Sequence, residues 1–385
     1  MKFFIACCFA AVLLVASSCR HTVDRGANDE VYDMTTSEKG ELADFFSEVE
    51  LVPLVYGGND YPKQVNRLVV ADSLYIVGDN GWTQHLFTKM GKQLGSTSEK
   101  FGKGPGEIDH PVDFSWNPYN DRLQVLMPGK MMIYDSNLNF IESRPMPGTK
   151  RNYLYSVSDL SPNLHIMMES GYGGDDMDKC RFIVFDSGET EKKRDLPYGD
   201  CIAGPGGMQK RYLYTMPDGE LLIIPPSVTY RIFSLDTAVN ELRNKILFDF
   251  GSNSVTREDV EAHASSPLDM SRYMMTTEKE VLLSAMPTSR RIVVTTKDGD
   301  SMQSFHTYLI NRETGSVISA DLFKGPRRIF PMIHEVDEDY AYAVMLKEEL
   351  EESPELLLDM AEKAESILDS IEDESLIVMK YRFKP

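Results

Sequence analysis

The sequence predicts an all-β protein made of one repeated four-stranded unit. Three observations lead to this prediction. A pattern of apolar strand, tight polar turn and second strand recurs along the 385 residues. The turns carry Gly, Asn or Asp, which favour β-hairpins, and a further apolar strand precedes each hairpin. Units of this kind, spaced by about 50 residues, are typical of a β-propeller.

Five of the units can be recognised directly, and the first four are evenly spaced. A polar, partly helical insert around Thr256–Ala264 delays the fifth. The five hairpins are HLFTKMGKQLGS (85–96), MIYDSNLNFIES (132–143), IVFDSGETEKKR (183–194), RIFSLDTAVNELR (231–243) and YLINRETGSVISA (308–320).

The sixth unit draws on both ends of the chain. Two strands come from FPMIHEV (330–336) and AYAVML (341–346), an acidic helical segment (347–375) follows, and SLIVMKYRF (375–383) supplies a third strand. The segment VELVPLVY (49–56), near the start of the chain, has no sheet of its own. Pairing it with the third strand closes the ring and leaves only short, protected edges.

The predicted fold is therefore a six-bladed β-propeller with an acidic helical insertion in the last blade, formed as one domain by residues 41–385. A seven-bladed ring and a β-sandwich are the alternatives, and they fit the spacing less well. The insertion is predicted to be a solvated helix that packs through one apolar stripe, because apolar residues recur there at helical spacing. These residues are Leu357, Ala361, Ala364, Leu368 and Ile371.

The start of the chain has the pattern of an export signal. Residues 1–18 hold a lysine, an apolar run and then small residues, as in a signal peptide. Cys19 stands where a bacterial lipoprotein carries its lipidated cysteine, and ordinary cleavage after Ser18 is the alternative. Residues 19–40 would form a polar tether. We expect an exported outer-membrane lipoprotein that faces the periplasm or the cell surface and meets the membrane only through its lipid anchor.

Two cysteines would remain in the mature chain. Cys7 and Cys8 leave with the signal peptide, and Cys19 would carry the lipid. Cys180 and Cys201 could then form a disulfide, as exported proteins often do, or stay as two buried thiols. The sequence leaves both options open.

Charge and motifs narrow the classes of function. The net charge of −20 argues against a nucleic-acid partner, which needs a basic face. Neither His-Glu-x-x-His, Cys-x-x-Cys nor Gly-x-Ser-x-Gly occurs, and we expect no metal and no cofactor. The acidic run at Asp175, Asp176 and Asp178 lacks the glycine and the distal glutamate of a calcium loop.

A glycine-rich loop, EKFGKGPGEIDHP (99–111), resembles a phosphate loop at first sight. No Lys-Ser/Thr follows its glycines, and the next residues alternate like a strand, so a Walker A loop is excluded. Similar loops recur at Gly204-Pro205-Gly206 and Gly325-Pro326, each between two blades. Gly and Pro suit such crossovers because they permit or fix sharp backbone turns. This interpretation leaves Glu107 unexplained.

Several motifs together resemble the six-bladed β-propeller lipoproteins common in Bacteroidales, a largely uncharacterised family related in shape to NHL and TolB propellers. The motifs are Gly102-x-Gly104-Pro105-Gly106-Glu107, Tyr230-Arg231-Ile232, Phe248-Asp249-Phe250-Gly251, the lipoprotein-like start, and the acidic helix before the last strand. The resemblance implies the fold, export and a lipid anchor, and it brings no catalytic residues with it.

Basic and aromatic residues recur where four of the innermost strands are expected to begin. In a propeller such positions ring the mouth of the central channel, where arginine can hold anions and aromatic rings can stack on sugars. The alternative is that these arginines pair with carboxylates of neighbouring blades. With Glu107 and His110, the candidate ligand-binding residues are Arg151, Tyr153, Arg211, Tyr212, Arg272 and Arg328.

Three functions follow from these patterns. The preferred one is a non-catalytic binding module whose partner is a glycan, a small anion or a peptide segment. The second is a carbohydrate-active lyase or hydrolase that uses Glu107, Asp109 or His110. The third is a structural partner of other envelope proteins in an outer-membrane complex. Fold alone does not choose between them.

Overall fold

The computed structural model describes most of the chain from residue 30 onward. The signal peptide, Cys19, Arg151, Cys180, Cys201, the run at 175–178 and the loop at 204–206 lie outside the described residues. The described ranges are 30–57, 60–62, 64–80, 82–146, 153–170, 181–186, 194–197, 211–225, 230–236, 241–263, 267–299 and 304–385. Over these ranges, none of the helices has both the length and the apolar character needed to cross a membrane.

Three strands precede the first blade, and each joins a blade that forms later in the chain. They are β1 (Glu30–Asp33), β2 (Glu38–Lys39) and β3 (Phe46–Pro53). Within the expected tether, Glu30–Asp33 and Glu38–Lys39 instead pair in parallel with the outer strands of blades four and five. Ion pairs hold this polar segment in place: Arg312 donates to both carboxylate oxygens of Glu30, at 2.7 and 3.1 Å.

Blades one to three are four-stranded antiparallel sheets, and the first strand of each is the innermost. In order from the channel outward, their strands are β4 (Val65–Val70), β5 (Leu74–Asp79), β6 (Gln84–Thr88) and β7 (Gln93–Ser96); β8 (Asp113–Asn117), β9 (Arg122–Met127), β10 (Lys130–Tyr134) and β11 (Phe140–Pro145); and β12 (Tyr153–Asp159), β13 (Leu164–Ser170), β14 (Arg181–Asp186) and β15 (Arg194–Pro197).

Blades four to six continue the ring, and a two-stranded hairpin lies between the last two. Their strands are β16 (Leu213–Thr215), β17 (Leu221–Ile223), β18 (Arg231–Asp236) and β19 (Glu241–Asp249); β20 (Val281–Pro287), β21 (Arg291–Lys297), β22 (Phe305–Asn311) and β23 (Val317–Asp321); the hairpin β24 (Phe323–Lys324) and β25 (Arg327–Arg328); and β26 (Ile333–Val336), β27 (Tyr340–Leu346) and β28 (Leu376–Phe383).

The ring closes as the sequence predicts. The sheet of blade six has the order β26-β27-β28-β3, so a strand from the start of the chain is its outermost member. Val378 lies opposite Val52, and Tyr381 lies opposite Val49. The Phe46 ring packs 5.0 Å from the Tyr381 ring, which adds buried aromatic contact at the seam.

The helices are short and lie between the blades or in the last blade. The α-helices are α1 (Leu42–Phe45), α2 (Arg257–His263), α3 (Pro267–Thr276), α4 (Lys347–Glu351) and α5 (Ala361–Leu368). The 3₁₀ turns are Met34–Thr36, Ser98–Lys100, Gly251–Asn253 and Pro354–Met360.

The acidic insertion lies between β27 and β28 as three short pieces rather than one helix. Its continuity is broken at Leu358, whose φ of 52° and ψ of −132° are not helical. Apolar side chains still anchor it, as the periodicity predicts, because Leu357, Ala364 and Leu368 are buried in the main core. The acidic face remains available to solvent and to basic neighbours.

Candidate functional site

The central channel contains a cavity of about 300 Å³. Five of the six blades contribute to it, mostly through residues of their innermost strands or of the turns that follow. The lining residues are Arg67, Val69, Val70, Ala71, Asp72, Ser115, Trp116, Pro118, Tyr119, Asp121, Val157, Ser158, Asp159, Arg211, Leu213, Thr215 and Glu335. A volume of this size suits a small ligand or the end of a longer one.

Arg67 forms a buried ion pair on one side of the cavity. Its Nη1 lies 2.6 Å from Asp113 Oδ1, and the two side chains are 8% and 10% exposed. The same nitrogen donates to the Phe114 carbonyl oxygen, and the guanidinium lies 4.7 Å above the Phe114 ring. Because Arg67 belongs to β4 and Asp113 to β8, this pair joins the first two blades at the channel.

Arg211 forms a second ion pair, between the entrance to blade four and the innermost strand of blade six. Its Nη1 donates to Glu335 Oε1 at 2.9 Å, and its Nε donates to the Leu213 carbonyl oxygen at 3.1 Å. The guanidinium lies 4.4 Å above the Tyr214 ring. Burial alone would lower the pKa of Arg211, but the charge of Glu335 raises it above its ordinary value.

Asp159 is the acceptor of a polar network between blades two and three. Its Oδ1 receives hydrogen bonds from Asn117 Nδ2 and Gln124 Nε2, each at 3.1 Å, and lies 2.6 Å from His165 Nδ1. The Asp159 side chain is only 2% exposed. These contacts orient the carboxylate at the cavity wall and satisfy it in a buried setting.

Among the lining residues that the structure describes, the cavity carries more negative than positive groups. Four carboxylates (Asp72, Asp121, Asp159 and Glu335) and two guanidiniums line it. Each guanidinium is within hydrogen-bonding distance of a carboxylate. The aromatic groups are Trp116, which is nearly buried, and Tyr119, which is 48% exposed. The site therefore offers hydrogen-bond acceptors beside an accessible aromatic face.

The predicted ring of arginines is only partly present. Arg211 lines the cavity, and the adjacent Tyr212 is buried without lining it. Arg272 lies on α3 rather than at a strand entrance, and its side chain is 70% exposed, 3.8 Å from Asp269. Tyr153 is the first residue of β12, so its backbone begins an innermost strand as expected.

Arg328 also has a different setting from Arg211. It lies in β25, where its Nη1 is 3.5 Å from Glu349 of the acidic insertion. The neighbouring Arg327 pairs with Glu355 at 2.8 Å. The hairpin that carries Gly325-Pro326 therefore holds the insertion. Burial, with a smaller effect from Arg328, lowers the pKa of the nearby His334 to about 4.

The glycine loop is held together by Glu107. Its Oε2 accepts a hydrogen bond from the Gly104 amide at 2.6 Å. A Cβ at Gly102 would lie 2.0 Å from the same oxygen, so the glycine is needed for the carboxylate to fit. His110 is exposed and contacts Asp109. Neither Glu107 nor His110 lines the cavity.

Sequence reasoning missed Arg67 and Asp159. The one signal for Arg67 is a charge inside an otherwise apolar innermost strand, VNRLVV. Asp159 ends the equivalent strand of blade three. Asp113, the partner of Arg67, lies in a neighbouring blade. Two hydrogen-bond donors to Asp159, Asn117 and Gln124, also lie in a neighbouring blade. Local patterns do not reveal such contacts between blades.

Comparison with known proteins agrees with the architecture. A model of the family described as 6-bladed beta-propeller, DUF5128, matches residues 21–325. None of the curated proteins matches the sequence.

One solved structure in the comparison has the same fold at low identity, and a second gives a lower TM-score. A "Putative exported protein" of Bacteroides fragilis is 15% identical with a TM-score of 0.66, and the alignment covers 92% of this chain and 100% of that chain. The β-propeller domain of Cps50 (Swd1) from Myceliophthora thermophila is 10% identical with a TM-score of 0.38, covering 67% and 68%. With its six observed blades and a family model that spans most of its length, this chain belongs to the DUF5128 family of six-bladed β-propellers.

Proposed function

We propose that this protein is an exported, non-catalytic binding module whose channel cavity takes a small neutral saccharide or the end of a glycan. The observation that carries the proposal is the composition of the cavity wall. The wall contains two guanidiniums, each paired with a carboxylate, and further carboxylates. The accessible ring of Tyr119 belongs to the same wall. Sugar hydroxyls donate well to carboxylates, and the apolar face of a sugar ring covers an aromatic ring.

The charge of the wall favours a neutral ligand over the small anion that the sequence also suggested. An anion would have to compete with Asp113 for Arg67 and with Glu335 for Arg211. It would also meet the other carboxylates of the cavity in a protein whose net charge is −20. Like charges at short distance are unfavourable, especially where the site is partly shielded from water.

The alternative of a carbohydrate-active enzyme is less well supported. In the form that the sequence suggested, catalysis by Glu107, Asp109 or His110 would need one of these side chains within reach of the bound ligand. The Glu107 carboxylate accepts a hydrogen bond within its own loop. None of Glu107, Asp109 and His110 is among the described residues that line the cavity. The non-catalytic proposal needs only the groups that do line it.

Export and lipid anchoring at Cys19 are part of the same proposal. They are supported by the signal-like start of the sequence and by the similar fold of a Bacteroides fragilis protein that is described as exported. We propose that the module stands in the cell envelope, on an outer membrane, facing the periplasm or the cell surface. Glycans are abundant ligands in that setting.

Isothermal titration calorimetry of the mature chain tests the proposal. Neutral oligosaccharides, uronic-acid oligosaccharides and citrate are compared as ligands. We expect the neutral sugars to bind best, and Tyr119→Ala to weaken their binding by about three- to tenfold because a stacking surface is lost. Tyr61→Ala is the matched control, since Tyr61 is also an exposed tyrosine but does not line the cavity.

Two binding results would count against the proposal, and a third outcome would replace it. One is a preference for uronic acids or citrate, which would restore the anion hypothesis. The other is equal sugar binding by the parent and the Tyr119→Ala variant. If no sugar binds and the chain instead co-purifies with one envelope protein in a stable complex, the structural-partner hypothesis replaces this one.

A further inference from the structure

Four side chains meet at one end of blade five, and each lies in one of the four principal strands or next to its end. Glu280 directly precedes β20, Asp298 directly follows β21, His306 lies in β22, and Asp321 ends β23. The strand register brings them together, because His306 pairs across the sheet with Asp321 on one side and with Thr296 on the other. None of the four lines the channel cavity.

The geometry of this group is that of a small chelating site. One ligand atom each from Glu280, Asp298 and His306 lies within 4.8 Å of the other two. His306 Nε2 is 3.0 Å from Asp298 Oδ1. Glu280 Oε2 is buried and has no hydrogen-bond partner among the residues that the structure describes. A buried carboxylate oxygen without a donor or a cation is unfavourable, so its environment calls for a positive ligand.

We propose that Glu280, Asp298 and His306 bind a divalent transition-metal ion, with Zn²⁺ the best fit. An imidazole with two carboxylates suits zinc, whereas calcium and magnesium prefer all-oxygen sites. Tetrahedral zinc sites place neighbouring ligand atoms about 3.3–3.6 Å apart, given bonds of about 2.0–2.2 Å. On metal binding, side-chain rotations would bring the three ligand atoms, which lie within 4.8 Å of one another, to that spacing, and water would complete the tetrahedron.

A second set of contacts already orients these ligands. His306 Nδ1 lies 2.8 Å from Asp321 Oδ1, which leaves Nε2 directed towards Asp298. Asp321 is itself held by Lys39 Nζ at 2.6 Å. The Tyr308 hydroxyl donates to Glu280 Oε1 at 3.0 Å, which leaves Oε2 as the unpartnered oxygen. Carboxylate–histidine pairs of this kind commonly position metal ligands. The ion would tie the strands of blade five together as a structural metal.

A metal-free arrangement is the competing explanation. In it, His306 only links Asp298 and Asp321 through its two ring nitrogens. The two explanations differ in a simple way, because the metal-free arrangement binds no zinc. The test uses the mature, tag-free chain after treatment with a chelator and dialysis. Zn²⁺ binding is measured by calorimetry, and Co²⁺ is used as a probe of coordination by visible absorption.

We expect one zinc ion per chain, a rise of the melting temperature with zinc, and cobalt absorption bands of a tetrahedral site. Ca²⁺ and Mg²⁺ at the same concentration should leave the melting temperature unchanged. His306→Ala and Glu280→Gln should each weaken zinc binding at least about tenfold, and Asp321→Asn should weaken it by about 10–100-fold through loss of orientation. Far-UV circular dichroism of the metal-free variants checks that each is folded.

His110→Ala is the matched control, because His110 also contacts a carboxylate, Asp109, but belongs to no group of three ligands in the described chain. It should bind zinc as the parent does. The proposal is overturned if the folded parent binds no zinc. It is equally overturned if folded His306→Ala binds zinc as tightly as the parent, or if His110→Ala loses the site.

Discussion

At the residue scale, the ion pairs of this protein differ mainly in their burial. The Arg67–Asp113 pair is almost fully enclosed at the channel, whereas the side chains of Arg290 and Asp339 are 56% and 66% exposed, with 2.9 Å between Arg290 Nη2 and Asp339 Oδ1. Removing one partner of a buried pair leaves the other charge poorly solvated, which costs about 3–5 kcal/mol. Exposed pairs contribute about 0–1 kcal/mol, because water solvates the partner that remains.

Arg67→Met should therefore lower the free energy of unfolding by about 3–5 kcal/mol, and Arg290→Met by less than about 1 kcal/mol. Urea unfolding followed by circular dichroism measures both values. Equal losses in the two variants would show that Asp113 does not depend on the charge of Arg67.

At the element scale, the seam between blades one and six depends on the close approach of a hairpin turn to β3. Gly91, between β6 and β7, has a φ of +81°, and a Cβ there would lie 1.9 Å from the Pro53 carbonyl oxygen. The Gly91 carbonyl oxygen also accepts a hydrogen bond from the Val55 amide at 2.8 Å. Gly129 has a similar φ of +76° in a hairpin of blade two, but nothing lies within 4 Å of its Cβ position.

Substituting the two glycines therefore measures two costs separately: the strain of a positive φ at Gly129, and that strain plus a steric clash at Gly91. Gly129→Ala should cost only the positive-φ penalty, about 1–2 kcal/mol. Gly91→Ala should cost a further 1–3 kcal/mol or so, because β3 must shift to make room. Thermal melting of both variants tests this difference. If Gly91→Ala melts at the same temperature as Gly129→Ala, the contact with β3 is not tight.

At the scale of the whole molecule, the first described residues, from Glu30 onward, are built into the ring. β3 closes blade six, and β1 and β2 extend blades four and five. An anchor at Cys19 would therefore join the membrane to the propeller through the stretch between Cys19 and Glu30, because β1 begins there. If the lipid is the attachment, its removal should change where the whole protein is found in a fractionated cell.

Cys19→Ala should move the protein from the membrane fraction to the soluble fraction of lysed cells, because the lipid is its proposed attachment. Cys180→Ala is the control, and it should remain with the membranes as the parent does. Membrane fractionation followed by immunoblotting gives the readout. A Cys19→Ala variant that stays with the membranes would show that something other than this lipid holds it there.

The sequence by itself determined the all-β class, the number of blades and the closure of the ring. These features depend on local patterns, because the alternation of side chains and the residues of tight turns are set by neighbours a few positions apart. Even the incomplete sixth unit could be recognised locally, since VELVPLVY lacked a sheet and the last blade lacked a strand. The buried stripe of the insertion followed in the same way from helical spacing.

Only the tertiary structure decided which side chains meet. Arg67 and Asp113 are 46 positions apart, and Arg211 and Glu335 are 124 positions apart, so each pair exists only once separate blades have packed together. Arg272 matched Arg211 in sequence pattern, yet an insert places it on a helix, because local similarity does not fix where a segment docks. The shape and charge of the cavity wall depend on these contacts between blades, which no pattern along a single strand encodes.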